Sequence, residues 1–193
     1  INRLLSDFMN LCNAIKVLGE LSPRALDTVS SLGERLAVRV LSAGVEAAGF
    51  PSKPIESSQI IITDNCFQNA APDMEETRKR CEKIIVPLLN DGIIPIITGF
   101  MGATKEGVIT TLGRGGSDYS ASIIGVGLKA SDVWIWTDVT GVMSADPRII
   151  PNAKTIPYLS FQEVSEMAFY GAKVLHPKSV KPCLDNLIAM RIC

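Results

Sequence analysis

A chain of 193 residues that is 47% hydrophobic and 20% charged suits one α/β domain or two small lobes, and it carries too much apolar content for disorder. Nineteen Lys+Arg against twenty Asp+Glu leave a formal charge of −1, so no basic surplus exists to neutralise a phosphate backbone, which argues against a dedicated nucleic-acid binder. The longest apolar runs, such as Ile93-Ile94-Pro95-Ile96-Ile97, fall far short of the ~20 residues of a membrane span.

No basic segment followed by an apolar run opens the chain, so neither a secretory signal nor a membrane contact is expected. Cys12, Cys66, Cys81, Cys183 and Cys193 are odd in number, widely spaced and without a Cys-x-x-Cys pair. That argues against a disulfide framework or a zinc site and favours a reducing compartment. A single histidine, His176, argues against His-built metal sites and a Ser-His-Asp triad.

Ser22 before Pro23 predicts a helix start, and Leu32, Leu36, Val40 and Leu41 continue at helical spacing to Gly49, with a break near Gly33. Gln59 to Thr63 is a short apolar run ended by Asp64-Asn65, which predicts a buried strand. Pro72-Asp73 opens a charged amphipathic helix to about Leu89. Ile93 to Thr98 predicts a second buried strand, and residues 101–112 a hairpin turning at Lys105-Glu106-Gly107. The stretch Gly113 to Asp118 leads into an apolar helix ending at Gly127, and Asp132 to Thr137 forms a further strand. After a proline-bearing loop through Pro151, Thr155 to Leu159 reads as extended, Ser160 to Phe169 and Pro177 to Asn186 as helical, and Leu187 to Ile192 as extended. Strands apolar on both faces, alternating with helices, predict an α/β fold with a mostly parallel sheet covered on both sides.

Four stretches could carry chemistry. Gly113-Arg114-Gly115-Gly116-Ser117-Asp118 sits at a predicted helix start, where free amides and the helix dipole favour an anion and Arg114 adds a bidentate fork. It is neither a Walker A loop nor a dinucleotide fingerprint, and a plain glycine-rich turn with Ser117 as N-cap remains open. Thr137-Asp138 through Asp146-Pro147-Arg148 follows a strand, where open α/β sheets bind ligands, although a surface loop with a solvated Arg148 fits too. Lys173, within Gly171-Ala172-Lys173-Val174-Leu175-His176-Pro177, could reach a phosphate as a point charge, while a surface lysine is the commoner explanation. His176 suits a cap or a packing role at the following helix. Glu34 lies in an apolar helical stretch where an inward carboxylate needs a partner, and pairing with Lys or Arg on a wet face reads equally well.

Taken in order, these motifs resemble the aspartate kinase family, within the amino-acid kinase superfamily. The resemblance rests on Leu32-Gly33-Glu34-Arg35-Leu36, Thr98-Gly99-Phe100-Met101-Gly102-Ala103, Thr110-Thr111-Leu112 through Asp118-Tyr119, Thr137-Asp138 through Arg148, and Gly171 through Pro177, and covers essentially the whole chain. It implies a three-layer α/β/α sandwich around a mostly parallel sheet, and transfer of the ATP γ-phosphoryl group to the side-chain carboxylate of L-aspartate, with Mg2+ accompanying the nucleotide. The product, 4-phospho-L-aspartate, opens lysine, threonine and methionine biosynthesis. By this likeness Arg114 holds the α-carboxylate of aspartate and Glu34 faces its ammonium, while Gly115, Gly116, Ser117 and Phe100 line the same pocket. Asp118 organises the phosphate region. Thr137, Asp138, Met143, Arg148 and Lys173 contact the nucleotide, Lys173 also compensating phosphate charge.

The likeness further implies a cytoplasmic enzyme that is a homo-oligomer at full length. The family's N-terminal Lys-Phe-Gly-Gly-Thr-Ser stretch and its C-terminal ACT domains are absent from residues 1–193, which therefore read as a catalytic domain truncated at both ends, in which the fragment itself is expected to be impaired. Met143 stands where many relatives carry tyrosine, so it can pack against a base or ribose but donates no hydroxyl. The alternatives are another kinase of the superfamily, or a non-catalytic fragment that binds nucleotide or aspartate.

Overall fold

The computed structural model describes residues 1–137, 141–146, 148–169 and 175–193. Helix α1 (Asn2–Leu18) ends on Gly19 in the left-handed conformation and buries none of its residues. Ser22 accepts a hydrogen bond from the Ala25 amide and Pro23 takes the first helical position, which starts α2 (Pro23–Ser30). The break before α3 (Leu32–Ala47) falls at buried Ser31, two residues before the expected point, and leaves Gly33 inside the helix. Ser31 ends the turn by donating its hydroxyl to the Thr28 carbonyl, which competes with continuing the helix.

Strand β1 (Ser52–Ile55) lies where the sequence carries no apolar run, and it pairs in parallel with β2 (Ile94–Ile97). The strand expected over Gln59 to Thr63 is a correction. Ser57–Gln59 forms a single 3-10 turn, and Ile62 and Thr63 make only isolated bridges to Ala103 and Pro72. The apolar run nevertheless reports burial correctly, because Ile60, Ile61 and Ile62 are at most 1% exposed. A continuous apolar run signals an interior location and does not by itself distinguish ladder from irregular backbone.

Helix α4 (Met74–Asn90) is capped by Asp73, whose carboxylate accepts from the Glu76 amide. The cap and the salt bridge from Lys105 hold the Asp73 carboxyl below the usual aspartate range. The hairpin forms as expected, β3 (Met101–Ala103) pairing antiparallel with β4 (Ile109–Thr111). Helix α5 (Gly116–Gly127) follows, buried along most of its length, and β5 (Asp132–Ile135) pairs in parallel with β6 (Ala189–Ile192). Between them lie α6 (Phe161–Phe169) and α7 (Pro177–Asp185). Thr155 to Leu159 is not a strand; Thr155 alone bridges Met143.

Two of the three strand pairs are parallel, as the α/β expectation requires, but among the described residues the pairs are not joined into one ladder. Three apolar clusters hold the layers together. Ile55, Ile60, Cys81 and Ile85 join β1 to α4; Ile61, Leu112, Tyr119 and Ile123 join the irregular segment to α5; Val126, Val133, Ile135, Cys183 and Ile188 join α5 to β5 and α7. All five cysteines are free thiols, and burial raises the Cys81 thiol to about 11. A thiol that stays protonated at neutral pH is a poor nucleophile, so Cys81 acts as core packing. Among the described residues no helix is long and apolar enough to cross a membrane.

Candidate active site

Strand β2 ends in the turn Thr98-Gly99-Phe100, which is anchored from below. The buried Thr98 hydroxyl accepts the Ser57 amide at 2.7 Å and lies within hydrogen-bonding distance of the Ser57 hydroxyl. Above it, the Gly99 amide donates to Glu34 Oε2 at 3.1 Å. Glu34 therefore points inward from α3. Its neighbours Arg35 and Arg39 both bind Glu56 instead, at 3.0 and 2.7 Å. Of the two readings open for Glu34, the inward one is observed.

Phe100 has φ 66, a left-handed conformation that a bulky residue rarely adopts. Its amide donates to Ser120 Oγ in α5 and its carbonyl accepts from the Leu112 amide, so partners on either side of the glycine loop hold the strain in place. A β-carbon on Gly99 would sit 3.0 Å from Ser117 Oγ, and one on Gly116 would sit 2.7 Å from the Phe100 ring and 3.2 Å from its α-carbon. Glu34, Phe100, Gly116 and Ser117, separate in sequence, are thus gathered where α3, the β2 turn and the start of α5 meet.

The loop itself turns on Gly115, at φ 70, which caps α5 without any side-chain hydrogen bond. The first-turn amides of Ser117 and Asp118 find no acceptor among the described residues, the arrangement that suits an anion. Glycine at 115 and 116 answers close packing against protein: a β-carbon on Gly115 would fall 2.9 Å from both His176 Cβ and Ser179 Oγ. Gly116→Ala is expected to destabilise the fold by about 1–3 kcal/mol, since the backbone of Phe100 has little room to yield. Chemical denaturation of the variant checks this.

On the other side of the loop, Arg114, Gly115 and Asp118 line a cavity of about 360 Å³ with Ile135, Trp136, Thr137, Gly141, Val142, Leu175 and His176. The cavity lies beyond the carboxyl end of β5, where α/β sheets bind ligands. Thr137 is held in register there by donating its amide to the Cys193 carbonyl at 2.9 Å. Arg114 is exposed and makes no salt bridge among the described residues. Asp118 is partly buried, and burial raises its carboxyl above the ordinary aspartate value of 3.8.

Met143 bridges Thr155 and Arg148 is exposed, its amide on Asp146; neither lines the cavity. Asp138 and Lys173 lie outside the described residues. His176 caps α7, accepting the Lys178 amide on Nδ1 at 3.2 Å, as its position before Pro177 suggests. Three contributors escape sequence reading: Trp136 on the cavity wall, Lys178, which donates to the Leu112 carbonyl and to Asn69, and Asp27, which is taken up below.

A family model described as the amino acid kinase family matches residues 4–193. The chain is 36% identical over 195 residues to chloroplastic aspartokinase 2 of Arabidopsis thaliana, covering 100% of this chain and 36% of that protein. It superposes with a TM-score of 0.90 and 34% identity on the crystal structure of E. coli aspartokinase III in complex with aspartate and ADP, covering 99% of this chain and 42% of that one. UMP kinase from Bacillus anthracis, at 18% identity and a TM-score of 0.60 over 93% of this chain and 64% of that one, shares the fold. The chain thus spans well under half the length of the aspartokinases it resembles.

Proposed function

We propose, from the premise that this chain belongs to the amino acid kinase family, that the protein of which it forms part is an aspartate kinase. Its reaction moves the γ-phosphoryl group of MgATP to the side-chain carboxylate of L-aspartate and supplies lysine, threonine and methionine biosynthesis. The observation that carries this reading is the meeting of Glu34 with the Gly99 turn and the start of α5, one turn of chain from an Arg114 that has no salt-bridge partner among the described residues. An amino acid presents one cation and one α-carboxylate a short distance apart, and a carboxylate and a guanidinium on the two flanks of one glycine loop supply the complement of each. The superposition on E. coli aspartokinase III, a structure in complex with aspartate and ADP, supports the same assignment.

The chemistry asks little of an acid or base. A side-chain carboxylate with an ordinary value of about 3.9 is already ionised at neutral pH, so no residue has to remove a proton from the nucleophile. An aspartate carboxylate oxygen forms the new P–O bond while the bond from the γ-phosphorus to the β–γ bridging oxygen breaks, leaving ADP. Arg114 and Glu34 hold the amino acid in line for this displacement, and the first-turn amides of α5 stabilise negative charge on the transferring group.

Asp118 is the one carboxylate on the wall of the cavity among the described residues. That donor set fits a magnesium ion, which keeps most of its water and takes one or two carboxylates together with substrate phosphates. Bound there, the ion would neutralise charge on the β- and γ-phosphate oxygens. Thr137, and by family likeness Asp138, Met143, Arg148 and Lys173, form the nucleotide side. We place the enzyme in the cytoplasm, as a homo-oligomer at full length; five free thiols, two of them buried, support a reducing compartment.

The test is to incubate the full-length protein with MgATP, hydroxylamine and either L-aspartate or L-glutamate. Hydroxamate formed only with aspartate is the expected result. Silence with aspartate under conditions where the protein is folded overturns the assignment.

A further inference from the structure

Asp27, on α2, is the one charged side chain that is fully buried among the described residues, at 1% exposed. It has no salt-bridge partner there, and its two oxygens are instead filled by backbone and hydroxyl donors. The Gln68 amide donates to Oδ2 at 2.9 Å and to Oδ1 at 3.2 Å, the Thr111 amide to Oδ2 at 2.9 Å, and the Thr111 hydroxyl to Oδ1 at 2.8 Å.

Both partners lead to the glycine loop. Thr111 is the last residue of β4, three positions before Arg114. Gln68 is held at φ 67, and its carbonyl lies only 2.9 Å from where a β-carbon on Gly113 would sit, so it forms the wall against which the loop is pressed. On its own side, Asp27 sits four residues before buried Ser31, the joint between α2 and the α3 helix that carries Glu34. A single carboxylate therefore ties the helices bearing Glu34 to both segments that support Arg114.

We propose that Asp27 is a positioning residue for the amino-acid subsite, setting the separation between Glu34 and Arg114. The inference rests on the aspartate kinase reading. Burying a lone carboxylate is unfavourable, and apolar packing would join α2 to β4 without that penalty. What the carboxylate adds is a fixed geometry, since its two oxygens accept from three donors at once. An amide at position 27 would turn an NH2 group toward one of those donors and push the two walls apart.

The test uses the full-length enzyme and compares wild type with Asp27→Asn, Thr111→Val and Thr111→Ser. Asp27→Asn is expected to raise the KM for L-aspartate by about 10- to 100-fold, the scale of a small misplacement of a binding group, while the KM for ATP moves less than about twofold. Thr111→Val, which removes one donor, should shift the aspartate KM in the same direction by less, and Thr111→Ser, which keeps the hydroxyl, should restore it. If thermal stability falls while both KM values stay put, or if both rise together, Asp27 is a structural residue only and the proposal is overturned. Should Asp27→Asn fail to fold, the Thr111→Val and Thr111→Ser pair decides alone: equal aspartate KM values in the two overturn it. A folded wild-type enzyme that makes no aspartate-dependent acyl phosphate removes the underlying activity, and this proposal with it, an outcome distinct from an active wild type with unmoved KM.

Discussion

Replacing Arg114 by alanine in the full-length enzyme is expected to raise the KM for L-aspartate by about 100- to 1000-fold, the effect of removing one partner from a desolvated charge pair. The KM for ATP should move by no more than about twofold, because the guanidinium is assigned to the amino acid. Stability should hardly change, since Arg114 is exposed and makes no salt bridge among the described residues, and substitutions at such positions stay within about 0.5 kcal/mol. Lysine will not substitute: it keeps the charge but loses the planar fork, so Arg114→Lys should recover only part of the affinity. Steady-state kinetics with each substrate varied, alongside thermal melts, checks all four statements. A large rise in the ATP KM would reassign Arg114 to the nucleotide.

Asp118→Asn is the second large effect, and here activity and stability should move in opposite directions. If Asp118 organises the phosphate region, its loss should lower kcat by about 100-fold. In the folded protein burial holds its carboxyl above the ordinary value of 3.8, which means the fold prefers the neutral form. The stability associated with this group is then present below the unfolded value and lost as pH rises through the raised folded value. At pH 7 the ionised carboxylate opposes folding, so the asparagine variant should melt at the same temperature as wild type or higher. Near pH 3, where both side chains are neutral, the difference should vanish.

How much of this was legible in the residues depends on whether the signal was local. The cap at Ser22-Pro23, the hairpin around Lys105-Glu106-Gly107, the helix after the glycine loop and the cap at Asp73 all followed from neighbouring residues, and all are observed within a residue or two. Such features depend on backbone donors and side chains a few positions apart, so their physics is contained in a short window. The apolar run at 60–62 was legible as interior but not as irregular, since, beyond the local Ser57, its hydrogen-bonding partners lie at Asp73, Thr77 and Ala103, at separations a short window does not span. Strand β1 was missed for the same reason: Ser52-Lys53-Pro54-Ile55 carries no apolar period, and only its pairing with β2 makes it a strand.

The site divides along the same line. The sequence by itself determined which residue types were available: a glycine loop bearing an arginine, a carboxylate in an apolar helix, and a polar loop after a strand, in an order that resembled one family of kinases. Its run lengths and charge also argued against a helical membrane span within residues 1–193 and against a dedicated nucleic-acid binder. Only the tertiary structure decided that Glu34 turns inward onto the Gly99 amide, that Phe100 is held in a strained conformation against Gly116, and that Asp27 joins α2 to Thr111 and Gln68. Each of these is a contact between segments 16 to 84 residues apart, as with Phe100 and Gly116 or Asp27 and Thr111. Whether a polar side chain is solvated or buried on a partner depends on what the rest of the chain brings to it, and that is settled when the layers pack.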